Sequence, residues 1–555
     1  MVEIICTNGK NGENIKAKFP MGTALKTIIK ELNIKLEFPI LGAMVNNKIK
    51  ELDYQIFKPK NIEFIDVTHT VGFQMYLRSL NFIMYKAVKD LFPDANLLIT
   101  HPISGGKYCE IEGAPNLSNG DLATMVRNRM QEIIDKDLPF QRMEIPTQEA
   151  IEIFKENNLY EKKQLFKYRS SFYTSVYKLD DVINYYYGYL VPSTSYINIF
   201  NLTTFHNGLL LQGVSRGNPT KTPGIYSQTK LFNIFQEYKN WVKIMGVSYV
   251  GDLNERVADK SVSDLINISE ALHEKKIASI ADEIEARKDV KIVLVSGPSS
   301  SGKTTFSKRL SVQLAVLGYK PIQLSMDNYF VEREDTPKDA NGEYDFECLQ
   351  ALDLELFNTQ IKGLLMGEEL EVPTFDFTLG KKVYDGSTMK LPENSILIIE
   401  GIHALNPELT AQIDENLKYK VFVSALTQIS IDSQNPIPTT DNRLIRRMVR
   451  DYRYRSYSGI DTLKRWASVR KGEEKWIFPF QENADIMFNS ALIPELGVLR
   501  AYAEPILREI PESAPEYAEA VRILKFLSYF RPVPEKDIPK TSILREFFGG
   551  SSFSY

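Results

Sequence analysis

Residues 297–305 read Gly-Pro-Ser-Ser-Ser-Gly-Lys-Thr-Thr and follow directly on the apolar run Ile292, Val293, Leu294, Val295. No other feature constrains the fold as much, because a G-x-x-x-x-G-K-[ST] loop works only between a strand and a helix. The apolar run supplies the strand. A helix begins at Lys303, with Phe306, Leu310, Leu314 and Leu317 on one stripe. The glycines let backbone N–H groups approach an anion closely, and the helix N-terminus adds a partial positive charge. Gly297, Ser299, Ser300, Ser301, Gly302, Lys303, Thr304 and Thr305 are therefore the expected nucleotide cradle. Lys303 would reach the β- and γ-phosphates, and the Thr304 hydroxyl would bind Mg²⁺.

The chain has 555 residues, too many for one core, so several domains are expected. Its 43% hydrophobic and 25% charged content is ordinary for a globular protein, and its net charge of −4 gives no whole-chain basic signature for nucleic acid. The three cysteines, Cys6, Cys109 and Cys348, lie far apart. They cannot build a disulfide framework or a Cys-rich zinc site, which suits a cytoplasmic protein. The N-terminal alternation reads as a strand and not as a leader. No apolar run is long enough to span a membrane.

Four units and a tail are expected. In residues 1–67, strands at 2–7 and 14–19 flank the turn Asn8-Gly9-Lys10-Asn11-Gly12. A helix capped by Thr23 runs through Leu25, Ile28, Ile29 and Leu32, and strands follow at 41–45 and 61–66. That order is a β-grasp pattern. Residues 68–250 open on a helix at 73–91, and a further helix carries residues 125–134. Tyr185, Tyr186, Tyr187 and Tyr189 are dense enough to stack on RNA bases, but no basic residues stand beside them, which favours core packing. Residues 251–290 form a helical connector with Leu265, Ile268, Leu272, Ile277, Ile280 and Ile284 on a stripe meant for the next unit. Residues 531–555 read as an extended or partly disordered tail.

In residues 291–530, short strands at 321–326, 395–399, 419–425 and 484–488 join the first to give a doubly wound parallel sheet. Ligands bind beyond the carboxyl ends of such strands, where Asp327 and Glu400 fall. Asp327 is positioned to accept a proton from a substrate hydroxyl, and Glu400 to support the metal. Arg443, Arg447 and Arg450 then share a helical face, as a phosphate-closing lid or a basic surface helix would.

Residues 291 to about 500 resemble the uridine kinase and phosphoribulokinase family. The resemblance rests on the loop at 297–305, Leu324-Ser325-Met326-Asp327-Asn328-Tyr329-Phe330, Tyr344-Asp345-Phe346-Glu347, Val372-Pro373-Thr374-Phe375-Asp376-Phe377, Ile399-Glu400-Gly401-Ile402-His403-Ala404-Leu405, and 443–451. It implies ATP and Mg²⁺ as cofactors, Asp327 as general base, Arg447 on the substrate, and Arg450 and Arg455 on the phosphates. Glu347, Phe330 and Phe375 fall where that family binds ribose and pyrimidine. The base-reading His falls on Gly380, and a third arginine on Tyr457, so the base-reading set is altered.

The first two units resemble the TGS and editing-type domains of threonyl-tRNA synthetases, through Lys48, Glu51-Leu52-Asp53-Tyr54, Lys86-Ala87-Val88-Lys89-Asp90-Leu91-Phe92-Pro93-Asp94-Ala95 and Gly188-Tyr189-Leu190-Val191-Pro192-Ser193-Thr194. The editing domain's two helix histidines fall on Arg78 and Phe82, and its later Cys and His on Tyr186 and Leu190. Those four residues cannot hold zinc. The whole implies an ATP-dependent nucleoside kinase acting on a 5′-hydroxyl, with uridine or cytidine the first substrate to test. Its N-terminal half would be regulatory or in contact with RNA, and no membrane contact is expected. A kinase of a sugar or sugar phosphate, with Lys381 and Lys382 receiving a second phosphate, and a nucleotide-switched RNA-binding regulator are the competing readings.

Overall fold

A computed structural model of the chain describes every residue except 9–12, 339–341, 343, 377 and 378. The turn at 9–12 and Phe377 therefore lie outside the described residues. The N-terminal sheet has five strands in the order Glu13–Phe19, Val2–Asn8, Lys60–Ile65, Gly42–Val45, Lys48–Lys50, with Val2–Asn8 parallel to Lys60–Ile65. The helix Leu25–Glu31 seals it with Leu25 and Ile28. Thr23 does not cap that helix. It sits in a two-residue strand paired with Gln55–Ile56, and its hydroxyl donates to the Pro20 carbonyl at 2.8 Å.

The helix Thr70–Leu91 is buried almost all round between residues 79 and 88. A helix buried on nearly every side belongs in the middle of a core, and its few polar members are paired, as Lys86 is with Asp90 at 2.6 Å. The four-stranded antiparallel sheet Asn201–Phe205, Gly208–Gln212, Gly106–Glu112, Asn96–Ile103 contributes to that core, as does a three-stranded sheet containing Tyr173–Leu179. Tyr185 and Tyr186 are buried in it, so the tyrosine run packs as expected.

The connector is the helix Val262–Ala286. Leu265, Leu272, Ile277, Ile280 and Ile284 are buried, but Ile268 is 47% exposed and does not belong to the stripe. The helix lies against Lys303–Val316, where Arg309 bridges Glu270 (3.2 Å) and Glu274 (2.7 Å).

The C-terminal half is organised by five parallel strands in the order Lys320–Ser325, Ser395–Glu400, Ile292–Ser296, Lys418–Ser424, Ile486–Asn489. The strand that feeds the glycine-rich loop is central, and all its residues are buried. Near-continuous apolar runs suit parallel strands covered on both faces.

The C-terminal tail is not an extended arm. Phe526 lies in the helix Tyr517–Leu527, and Phe530, Val533, Ile538, Ile543, Leu544, Phe547 and Phe548 are all buried. The prolines and glycines of this stretch shape a folded path, while its aromatic and aliphatic side chains supply the apolar area that holds it down. Among the described residues, no helix is long and apolar enough to cross a membrane.

Candidate active site

The strand Ile292–Ser296 delivers the loop, and the helix Lys303–Val316 starts immediately after it. A side chain at Gly297 would strike the Val423 carbonyl of the neighbouring strand. Gly302 has φ +85°, and Ser300 adopts φ +59°, an uncommon value for a residue with a Cβ. Such local strain is found where a backbone must aim its N–H groups. The hydroxyls of Ser300 and Ser301 are buried with no partner, as a cradle waiting for acceptor oxygens would leave them. The donor set therefore fits a phosphate chain.

Lys303 crosses the loop, and its ammonium donates to the carbonyls of Gly297 (2.9 Å) and Pro298 (3.4 Å). Enclosure lowers its pKa, while Glu400 and Asp327 oppose that shift. The Thr304 hydroxyl donates to Glu400 Oε1 at 2.8 Å, joining the two residues predicted to serve a metal. Burial pushes the Glu400 carboxyl up to about 7 against the pull of Lys303 and Thr304. Among the described residues, no three His, Cys, Asp or Glu side chains cluster as a cation cage. A divalent ion here would rely on Thr304, Glu400 and ligand oxygens, the usual arrangement for Mg²⁺.

Asp327 stands in the turn Met326–Tyr329, just past the strand Lys320–Ser325, with its N–H donating to Ser325 Oγ at 3.3 Å. Its side chain remains open to solvent yet is ringed by protein, as at the floor of a cleft. That enclosure raises its pKa, and Lys303, Arg455 and Arg450 counter it. Glu347 belongs to the same neighbourhood. Burial and the nearby Glu473 push it up to about 7, while Arg447 and Lys303 pull the other way.

The arginine helix Thr439–Tyr454 is only partly what its spacing predicts. Arg443 is 1% exposed, pairs with Glu473 and donates to the Ser299 carbonyl at 3.2 Å. Arg446 is fully buried, pairs with Glu495 and reaches Ser490 and the loop carbonyls. The first half of the helix is thus a packed support beneath the loop and not a lid, because neighbouring helices cover it. Arg447 donates to Ser299 Oγ at 2.8 Å. Arg447, Arg450 and Arg455 gather around the buried Asp451 at 3.1, 2.8 and 3.8 Å, and Arg455 keeps half its surface in solvent.

Phe330 and Phe375 meet edge to face, with ring centroids 5.7 Å apart. Beside them, Arg333 occupies the space a side chain at Gly380 would need, and the Arg333 amide donates to the Gly380 carbonyl at 2.9 Å. Lys382 is bound to Asp353, and Lys381 lies 3.8 Å from Glu332.

The eight predicted cradle residues do not all face one way. The Thr305 amide and hydroxyl both donate to Glu546 Oε2 (3.2 and 2.6 Å), and its hydroxyl also meets that of Tyr555 at 2.9 Å. A methyl at Gly302 would press on Ile543 at 2.5 Å. Sequence reasoning missed Glu546 and Tyr555 because nothing local links a C-terminal residue to a loop some 240 positions earlier. It also missed Glu473, which accepts from the Ser299 N–H at 3.1 Å. Asp451 had a signal, being the one acid inside a run of arginines.

In the N-terminal half, Arg78, Phe82, Tyr186 and Leu190 share one region of the core. Phe82 packs on Tyr186 with centroids 5.3 Å apart, and Arg78 donates to the Tyr189 carbonyl at 2.5 Å and lies under the Tyr187 ring. Leu190 is buried beside them. Phe82 and Leu190 pack as hydrocarbon, while Arg78 and the buried, unpartnered Tyr186 hydroxyl remain polar.

The phosphoribulokinase / uridine kinase family matches residues 292–494. A uridine kinase from Ligilactobacillus salivarius is 30% identical over 208 residues, which are 37% of this chain and 85% of the relative. The chain belongs to the phosphoribulokinase / uridine kinase family. A solved structure titled a possible uridine kinase from Bacillus stearothermophilus is 20% identical, with a TM-score of 0.27, over 39% of this chain and 98% of its own. The N-terminal half is similar to a threonine–tRNA ligase from Clostridium kluyveri, at 30% identity over 195 residues. That match takes in 35% of this chain and 30% of the ligase, so the chain spans under a third of the ligases it resembles. The family's P-loop kinase unit thus sits behind a ligase-like half.

Proposed function

We propose that the protein transfers the γ-phosphoryl group of ATP to the 5′-hydroxyl of a nucleoside. One observation supports this reading: Lys303, Arg455 and Arg450 act electrostatically on Asp327, which stands past the carboxyl end of the strand Lys320–Ser325. When bound, MgATP supplies the phosphoryl group and a divalent charge on its outer oxygens. The loop amides, Lys303 and the orphaned Ser300 and Ser301 hydroxyls hold the phosphates, and Thr304 with Glu400 holds the metal. Asp327 orients the acceptor hydroxyl and takes its proton as the new P–O bond forms. Arg450 and Arg455 steady the charge on the transferring group, and Asp451 fixes their forks.

Glu347 would accept hydrogen bonds from the sugar hydroxyls, Phe330 and Phe375 would stack on a planar base, and Arg447 would close the substrate side. Arg333 stands where the family's base-reading histidine would reach, so base preference can differ from uridine. The sugar-phosphate reading is weaker because Lys381 and Lys382 already have acidic neighbours. The N-terminal half is read as a TGS-like β-grasp unit followed by an editing-type scaffold that has lost its hydrolytic chemistry. The RNA-switch reading predicts nucleotide-dependent RNA affinity without a phosphorylated small product. A mass-spectrometric screen of nucleosides, sugars and sugar phosphates with MgATP decides. A nucleoside 5′-monophosphate supports the proposal, and ATP binding with no phosphorylated product from any acceptor defeats it.

A further inference from the structure

Beside Arg78 and Tyr186 lies a cavity of about 220 Å³. Its walls come from three distant stretches of chain: Lys48 and Lys50 of the N-terminal sheet, Arg78 and Arg142 of the ligase-like unit, and Arg522 and Lys525 of the helix Tyr517–Leu527. None belongs to the glycine-rich loop or the kinase cleft.

Two of these six cations are neutralised. Lys48 pairs with Glu512 at 2.8 Å, and Arg522 with Asp441 and Glu519, each at 2.7 Å. The other four are not. Arg78 binds the Tyr189 carbonyl and, at 3.4 Å, the Gln74 amide oxygen. Arg142 donates to Ser175 Oγ at 2.6 Å, and Glu144 is a full 4.0 Å away. The Lys50 ammonium lies over the Tyr54 ring at 4.7 Å. The Lys525 ammonium has no hydrogen-bond or ion-pair partner among the described residues, and burial beside Arg169, Arg142 and Arg78 drives its pKa down to about 7. Glu51, which shares the neighbourhood of Lys50 and Arg142, accepts a hydrogen bond from Tyr177 and is itself pushed toward its neutral form by burial.

Crowding like charges in a partly desolvated cavity opposes folding unless something offsets it. We propose that this cavity is a binding site for a small phosphomonoester, held by Arg78, Arg142, Lys50 and Lys525. A phosphomonoester carries nearly two negative charges at neutral pH, which suits four basic side chains outnumbering Glu51 and Glu144, and guanidinium forks match its oxygens. The volume exceeds the ~30 Å³ share of one water several-fold but falls short of the ~300 Å³ of a drug-sized pocket. It therefore suits a sugar-sized phosphate better than a nucleoside triphosphate. Tyr177, Tyr187 and Tyr189 give the organic part of the ligand an amphipathic wall.

The test is isothermal titration of the full chain with ribose 5-phosphate and inorganic phosphate, in a Lys303→Ala background that disables phosphate capture at the loop. Ribose 5-phosphate is expected to bind, and adding Lys525→Gln or Lys50→Gln should weaken it at least about tenfold. Lys525→Gln removes an unpaired charge, so its thermal midpoint without ligand should equal or exceed that of the parent, which separates loss of binding from loss of fold. No binding up to about 10 mM, or binding indifferent to both pocket substitutions, overturns the proposal. So does capture of RNA that depends on Lys525 when ribose 5-phosphate does not bind.

Discussion

The two halves of this chain pack their buried side chains in different ways. In the C-terminal half, polar groups are held ready by dedicated partners. Glu473 fixes Arg443, Glu495 fixes Arg446, and Asp451 gathers three arginines, while loop hydroxyls stay unpaired. In the N-terminal half, the corresponding convergence is packed with Phe82, Tyr186 and Leu190. In the glycine-rich loop the buried Ser300 and Ser301 hydroxyls have no protein partner, whereas around Phe82 ring contacts dominate.

The sharpest way to break this contrast is Asp327→Asn. Its turnover should fall by about 10²- to 10⁴-fold, the usual worth of a positioned base, while MgATP affinity stays within a few-fold. Steady-state kinetics beside equilibrium nucleotide binding measures both. Phe82→Ala should behave conversely. It should destabilise the protein by about 3–5 kcal/mol in calorimetry, as emptying a packed aromatic site does, without a direct effect on the chemical step. If Phe82→Ala left stability unchanged, the filled-site account would be wrong.

Glu546→Ala comes next. It removes a charged acceptor from the Thr305 amide and hydroxyl and should cost about 1.5–3 kcal/mol of stability. Denaturant unfolding with and without MgATP would show whether the loss is confined to the loop.

The smallest effect concerns pH. Glu347 is held protonated up to about 7 by burial and by Glu473. Because its folded pKa is raised above the ordinary value of 4.5, its contribution to stability is full below that value and fades as pH rises through about 7. If Glu347 binds the sugar hydroxyls as proposed, its carboxylate form is the acceptor, so the acceptor KM should fall as pH rises through the same range. In Glu347→Gln that step should vanish. A step that persists in the variant would assign the titration elsewhere.

Much of the C-terminal fold is readable locally. The central strand, the loop and the helix after it form one continuous signal, and the other four strands are compact apolar runs between polar turns. Asp327 and Glu400 could be placed because carboxyl ends of parallel strands are where such sheets bind ligands. Arg443 could not be told from Arg447 by spacing, since helical periodicity says which residues share a face and not which neighbour covers it. Ile268 misled for the same reason. The tail misled because prolines and glycines outweighed its scattered aromatics, and Thr23 because a two-residue strand pairing overrode a capping residue.

From its letters alone the chain specified a glycine-rich loop on a parallel sheet, acids at the neighbouring strand ends, and Arg, Phe, Tyr and Leu at positions 78, 82, 186 and 190. Those properties follow from short-range pattern and side-chain chemistry. Only the folded molecule decided that Glu546 and Ile543 buttress the loop, that half of the arginine helix is a buried support, and that Lys50, Arg78, Arg142 and Lys525 meet around one cavity. Each of these depends on residues distant in sequence, and long-range packing brings them together where no local periodicity records it.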